Sequence, residues 1–192
     1  MKNTEIVWHV MRIPYNREML FKNHLDTIDI ENFIPMHYKY VEKKGQKIKV
    51  LVPVVNNLVF VKTSRAVLNK VKTEVELRFP VRYMMDRVRN EPMVVPENQM
   101  NNFLSVAKTY DDQLIYLDSS EVLLRRGDKV RITQGPLAGV VGEFLRIRGD
   151  RRVVVSVDGL MSVATAYIAP YQLERLEEPR MYEQTILCET EV

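Results

Sequence analysis

Gly127-Asp128-Lys129-Val130-Arg131-Ile132-Thr133-Gln134-Gly135-Pro136-Leu137-Ala138-Gly139-Val140-Val141-Gly142-Glu143-Phe144 is the stretch whose reading decides the fold. Val130 and Ile132 alternate with Lys129, Arg131 and Thr133, the period of a half-buried strand. Gln134-Gly135-Pro136 breaks that strand, Leu137-Ala138-Gly139 carries the chain round, and Val140, Val141 and Phe144 resume it. Glycines at 135, 139 and 142 suit a small, sharply curved sheet in which backbone takes positive φ or passes close to a neighbouring strand. A second hairpin follows, Leu145 to Arg148 and Arg152 to Val157, with Gly149-Asp150 as its expected turn.

This run resembles the KOW motif in its strand, its Gly-Pro-hydrophobe turn and its central glycine, with Gly135 and Gly142 as the structural glycines. The chain ahead of it resembles the N-terminal domain of NusG-type transcription elongation factors, and the likeness extends from about Ile6 to Leu176. The resemblance implies an α+β N-terminal domain, an antiparallel sheet flanked by helices, followed by a small all-β KOW barrel.

The residues upstream support an α+β reading independently. Ile6 to Met11 reads as a first strand, ended by Pro14, with Asn16 as the expected cap of a helix from about Arg17 to Ile28. Leu20, Phe21, His24, Leu25 and Ile28 share its apolar face, which predicts packing on a sheet. Phe33 to Val41 and Ile48 to Val52 form a long hairpin with the tip Lys43-Lys44-Gly45-Gln46-Lys47, either a solubilising loop or a nucleic-acid or partner contact. Pro53 to Val61 follows as a nearly continuous apolar strand. Ser64 caps a second helix, with Val67, Leu68, Val71 and Val75 inward and Lys70 and Lys72 outward. Pro80 to Met85 is a further strand, and Met100, Phe103, Leu104 and Ala107 fall at i, i+3, i+4, i+7 in a third helix beginning near Pro96.

The expected boundaries are an N-terminal domain over 1–110, a linker over 111–122, a KOW domain over 123–176 and a mobile acidic tail over 177–192 with five glutamates. At 192 residues, 46% hydrophobic and 28% charged, the chain has the composition of a globular protein with room for two small cores. Its net charge of +3 permits nucleic-acid contact without demanding it. The single cysteine, Cys188, leaves no internal disulfide framework and suits a reducing cytoplasm. No apolar run approaches a membrane span, so no membrane contact is expected, and a monomer is.

Catalytic signatures are absent from the sequence. His9, His24, His37 and Cys188 make no metal-ligand spacing. There is no phosphate-cradling loop, nucleophile elbow or HExxH, and neither an enzyme nor a cofactor is expected. The apolar residues are more informative, because Trp8, Leu58 and Phe60 fall on neighbouring central strands and an aromatic anchor beside aliphatics is what a protein interface uses. Plain sheet core is the alternative for each.

In NusG-type proteins an aromatic after a proline-glycine or proline-asparagine pair helps form the patch that docks on RNA polymerase. Asn56 and Leu58 stand where that proline and tyrosine would be, so the resemblance implies a polymerase-binding set of Trp8, Val55, Leu58 and Phe60. It implies further that Arg12, Arg17 and Lys22 contact the non-template DNA strand, and that Leu137 meets a ribosomal protein or a termination factor at the KOW turn. The lost proline-glycine-tyrosine and the acidic tail point to the operon-specific antiterminator paralogues. A ribosomal-type RNA-binding KOW protein, using Arg146, Arg148, Arg151 and Arg152, is the alternative.

Overall fold

The computed structural model describes residues 4–43, 45–86, 88–118, 121 and 127–176. The expected tail over 177–192 lies outside the described residues, as does most of 119–126. β1 (Ile6–Arg12) is followed by α1 (Glu18–Thr27), β2 (Asn32–Phe33), β3 (Met36–Lys43), β4 (Gln46–Pro53), β5 (Leu58–Ser64) and α2 (Arg65–Val75). Then come four two-residue strands, β6 (Arg82–Tyr83), β7 (Met85–Asp86), β8 (Glu91–Pro92) and β9 (Val94–Val95), before α3 (Glu97–Ala107). The central sheet has the order β2-β5-β1-β6, with β9 also on β1. β1 and β5 pair antiparallel from Ile6↔Ser64 to Arg12↔Leu58.

Because successive strand residues face opposite sides, β1 divides its apolar side chains between two cores. Trp8 and Val10 join Leu58, Phe60, Met100 and Phe103 on the α3 side. Met11 joins Val59, Val61, Phe21, Leu25, Leu68 and Val71 on the side of α1 and α2. The sheet is thus covered on both faces, which explains why β5 reads as unbroken hydrophobe.

The helices depart from their expected faces where the sequence signal is weakest. In α1 the inward residues are Glu18, Phe21 and Leu25, while Leu20 and Ile28 are exposed. Asn16 does not cap it: Arg17 is the N-cap with no side-chain bond, and Tyr15 and Asn16 both take positive φ, at 67° and 53°. Asn57 Oδ1 accepts from the Asn16 amide at 2.9 Å and holds that turn. In α2 the Ser64 hydroxyl accepts from the Val67 amide at 3.3 Å, the expected cap, but Val67 itself is exposed. The α3 face is as expected, with Val106 buried in addition.

The second sheet is all antiparallel: β10 (Ile115–Asp118), β11 (Asp128–Ile132), β12 (Val141–Ile147), β13 (Asp150–Val157), β14 (Met161–Tyr167) and β15 (Leu173–Arg175), in the order β10-β14-β13-β12-β11-β15. β10 lies inside the segment read as a linker. Its three apolar residues pair with β14 and are too few to show a period. The β12–β13 turn is Arg148-Gly149 rather than Gly149-Asp150, since Ile147 pairs with Asp150 and the two loop residues take φ of 50° and 94°. That double positive φ is the signature of a type I′ turn, and glycine serves its second position.

Gly142 is required for another reason. A Cβ there would lie 2.5 Å from the Val154 carbonyl oxygen, so β12 and β13 approach too closely for any side chain. Gly135 sits at φ +83 in the turn.

α3 lies between the two sheets. Phe103 meets Phe60 and Phe33, with ring centroids 6.0 and 6.4 Å apart. Val153, Val155, Val157 and Val163 of the second sheet belong to the same apolar cluster. Polar clamps fix the contact: Asn102 Oδ1 accepts from the Val141 amide at 3.1 Å, and Gln99 exchanges bonds with Asp158 at 2.6 and 3.3 Å. One core therefore runs through both sheets.

Candidate docking and nucleic-acid interface

The apolar set read from the sequence does not form a surface patch. Trp8, Leu58 and Phe60 are 1%, 3% and 0% exposed, beneath α3, and Lys62 lies 5.7 Å from the Trp8 ring. They are core side chains in this arrangement, and the cause is the two-faced covering of the sheet. Val55 alone is open, at 41%, in the turn before β5. Leu137 is half-buried and packs against the shared core near α3.

The three basic residues read as strand contacts separate. The Lys22 ammonium is committed to Asp26 at 2.8 Å, whose carboxyl it holds, with Asn32, below the usual carboxylate range. The Arg17 guanidinium donates to the Arg78 carbonyl at 2.7 Å. Arg12 is exposed and, at the end of β1, stands directly opposite Arg82 of β6. Like charges directly opposite on an antiparallel pair repel.

Around that pair the fold assembles a cationic groove that the sequence reading missed. Arg65, Asn69, Lys72, Thr73 and Glu76 recur at helical spacing along α2, a polar stripe beside its apolar one. All of these but Arg65, together with Pro80, Val81 and Arg82, line a cavity of about 460 Å³. At its end the Tyr83 hydroxyl donates to Asn69 Oδ1 at 2.9 Å. The Lys72 ammonium is 4.4 Å and the Arg65 guanidinium 5.9 Å from the centre of the Tyr83 ring.

Among the described residues, none of Arg12, Arg65, Lys72 and Arg82 has a carboxylate at ion-pair distance. Burial, then the Arg65 charge, lowers the Lys72 ammonium, against an opposing pull from Glu76. Burial raises the Tyr83 phenol, and Arg65 draws it back. Behind them His9 packs edge-on to Tyr83 at 5.8 Å, its imidazole lowered chiefly by burial, with the Thr63 backbone opposing and Arg65 reinforcing. Two cations over one aromatic ring, with Arg82 lining the adjoining cavity and none of them in an ion pair among the described residues, make a place for a phosphate backbone.

The arginines of the β12–β13 hairpin are less uniform than their sequence suggests. Arg152 is 8% exposed and structural: it donates to the Gln113 and Thr165 carbonyls at 2.8 and 2.7 Å and pairs with Asp150 at 3.2 Å. Arg151 lies over Phe144 at 5.7 Å. Arg152 is therefore unavailable to RNA, because its charge satisfies backbone inside the sheet.

Among the described residues no three His, Cys, Asp or Glu side chains gather where they could hold a metal ion, and no helix is long and apolar enough to cross a membrane. Comparison with known proteins gives a family match: the family model described as "Transcription termination factor nusG" covers residues 6–104, just over half of the chain. No curated protein matches the chain. Among solved structures it is similar to one described as "Domain interaction in Thermotoga maritima NusG", at 16% identity, over 90% of this chain and 98% of that chain, with a TM-score of 0.43.

Proposed function

The chain belongs to the NusG family of transcription elongation and termination factors, and on that premise we propose that it is an operon-specific antiterminator. Proteins of this family are transcription factors rather than enzymes and act with RNA polymerase. Residues 1–110 are the polymerase-binding unit in this reading, and 123–176 the KOW unit that recruits a ribosomal protein or a termination factor through Leu137.

The observation that carries the reading is the family match over 6–104, the segment that builds the two-faced sheet and the cationic groove. Val55 makes the first contact with polymerase from its exposed turn. Trp8, Leu58 and Phe60 take part once α3 and the second sheet move aside, because buried side chains dock only after rearrangement. The groove of Arg65, Lys72 and Arg82 then lies along the non-template DNA strand, with Arg12 next to Arg82 on the neighbouring strand, Arg17 bonded to the Arg78 carbonyl and Lys22 held back by Asp26. The mechanism is a population shift: binding the processive state of polymerase a few kcal/mol better than the paused state suffices to change the outcome at a terminator.

The test is single-round transcription through an intrinsic terminator, with purified polymerase and the full chain. The expected result is increased read-through, lost in Val55→Asp and reduced in Lys72→Gln/Arg82→Gln. Read-through unchanged by the wild-type chain, with no capture of polymerase, would overturn the antiterminator reading.

A further inference from the structure

β3 and β4 form a ribbon of eight paired residues, from Met36↔Pro53 to Lys43↔Gln46, hydrogen-bonded to each other as a separate two-stranded sheet. A lone two-stranded hairpin is marginal in water, and this one runs for about 27 Å. From His37 to Leu51 every described residue is exposed or half-buried, so the ribbon buries neither face. Its charge is equally unusual. Between Met36 and Pro53 the chain carries Lys39, Lys43, Lys44, Lys47 and Lys49 against Glu42, a net of +4 within a chain of net +3. The other residues together net −1.

Alternation assigns these cations to opposite sides. Lys39 and Lys43 share one face, while Lys47 and Lys49, opposite Glu42 and Tyr40, share the other with Tyr38 and Leu51. Lys49 is engaged, paired with Asp112 at 2.6 Å and lying 4.2 Å over the Tyr38 ring. Lys39, Lys43 and Lys47 make no ion pair among the described residues.

The partner follows from this layout. A protein would need one contiguous apolar patch, but Tyr38, Tyr40 and Leu51 lie on one face and Val41, Ile48 and Val50 on the other. A single strand of nucleic acid would use one face and a row of open rings, yet Lys49 caps Tyr38 and leaves only Tyr40, 65% exposed, on that face. Cations on both faces match two phosphate walls. The major groove of B-form DNA, about 12 Å wide, admits a two-stranded ribbon, whereas the deep, narrow major groove of A-form RNA does not. We propose that the β3–β4 ribbon docks in the major groove of duplex DNA through Lys39 and Lys43 on one face and Lys47 on the other, without reading sequence. The proposal does not depend on polymerase docking.

The test is fluorescence anisotropy of the full chain with a labelled mixed-sequence DNA duplex across a salt series, beside the same single strand and an RNA duplex of the same sequence. Wild type is expected to prefer the DNA duplex. Replacing phosphate-contacting lysines lowers the slope of log affinity against log salt by about one per residue, so Lys39→Gln/Lys43→Gln should lower it by about two and Lys47→Gln by about one. The triple variant should lose on the order of tenfold in affinity at low salt while keeping the wild-type circular dichroism. Lys129→Gln, an exposed lysine of β11 in the second sheet, should leave duplex affinity unchanged. Tighter binding to the single strand or to RNA, no binding at low salt, ribbon variants that bind like wild type, or duplex binding lost in Lys129→Gln instead would each overturn the proposal.

Discussion

The two faces of the central sheet carry the same strands to different ends. On the α3 face, Trp8, Leu58 and Phe60 are sealed in a core continuous with the second sheet. On the α2 face, His9 of β1 and Tyr83 of β6 lie beneath Arg65 and Lys72, cations with no carboxylate at ion-pair distance among the described residues, beside a groove that Arg82 also lines. The difference teaches that aromatic and aliphatic strand residues report stability first, and that unpaired charge held together by the fold reports binding. One face should be expensive to mutate and silent in DNA binding. The other should be cheap to mutate and audible in it.

Phe60→Ala gives the largest expected effect. Removing a fully buried ring that packs on Phe103 should cost about 3–5 kcal/mol in urea denaturation. A loss under about 1 kcal/mol would mean that the α3 face is not the core described.

Gly142→Ala sharpens the same side. Its Cβ would meet the Val154 carbonyl at 2.5 Å, and the overpacking should cost about 1–3 kcal/mol. Gly135→Ala meets no backbone within 4 Å and carries only its positive φ, so about 1 kcal/mol is expected there. Asn102→Ala tests the clamp between α3 and the second sheet, since it orphans the half-buried Val141 amide, and should cost about 1–2 kcal/mol. The readout that separates it from a general loss is faster amide exchange confined to the α3–β12 contact.

Two titrations divide the faces by pH. Burial depresses the His9 imidazole below its ordinary value of 6.5. The unfolded chain therefore binds the proton first, and stability is full above 6.5 and erodes as pH falls below it. His9→Gln should flatten that acid limb of a thermal melt. Burial pushes the Tyr116 phenol up to about 12, with Tyr110 adding to it. Here the folded state keeps its proton longer, so stability is full below about 10 and declines as pH rises towards 12. Tyr116→Phe should remove that alkaline decline, and an unchanged decline would contradict the burial of this ring near Met36.

The smallest expected stability effect belongs to the groove. Arg82→Gln removes one of two opposed arginines and should change stability by no more than about 0.5 kcal/mol, in the stabilising direction. The same variant should weaken binding to single-stranded DNA and lower its salt slope by about one. A destabilised Arg82→Gln would mean that the groove is a structural network.

These contrasts also explain what the sequence could and could not disclose. The order of elements, the Ser64 cap and the apolar face of α3 were legible because each is a local pattern read over one helix or strand. The covering of Trp8, Leu58 and Phe60 was not, since it depends on α3 packing from more than thirty residues away and on a second sheet behind it. Short pieces were blurred for want of a period: β10 offers three apolar residues, β7 to β9 are two residues long, and β6 is only part of the longer strand read over Pro80 to Met85. Arg12 was identifiable as an outward base. Its partner Arg82 required the β1–β6 register, and Lys72 was read only as an outward lysine, although the stripe from Arg65 to Glu76 stood in the sequence at helical spacing. Lys22 carried a false signal, because Asp26 follows it by four residues and neutralises it.

The measurement that reaches the central claim most directly is site-specific photocrosslinking from position 72 or 82 of the full chain in an assembled elongation complex whose three nucleic-acid strands are separately labelled. The account predicts crosslinks to the non-template DNA strand within the bubble, dependent on polymerase and lost in Val55→Asp. Crosslinks to the nascent RNA alone, or to no strand while the chain is bound to polymerase, would contradict it.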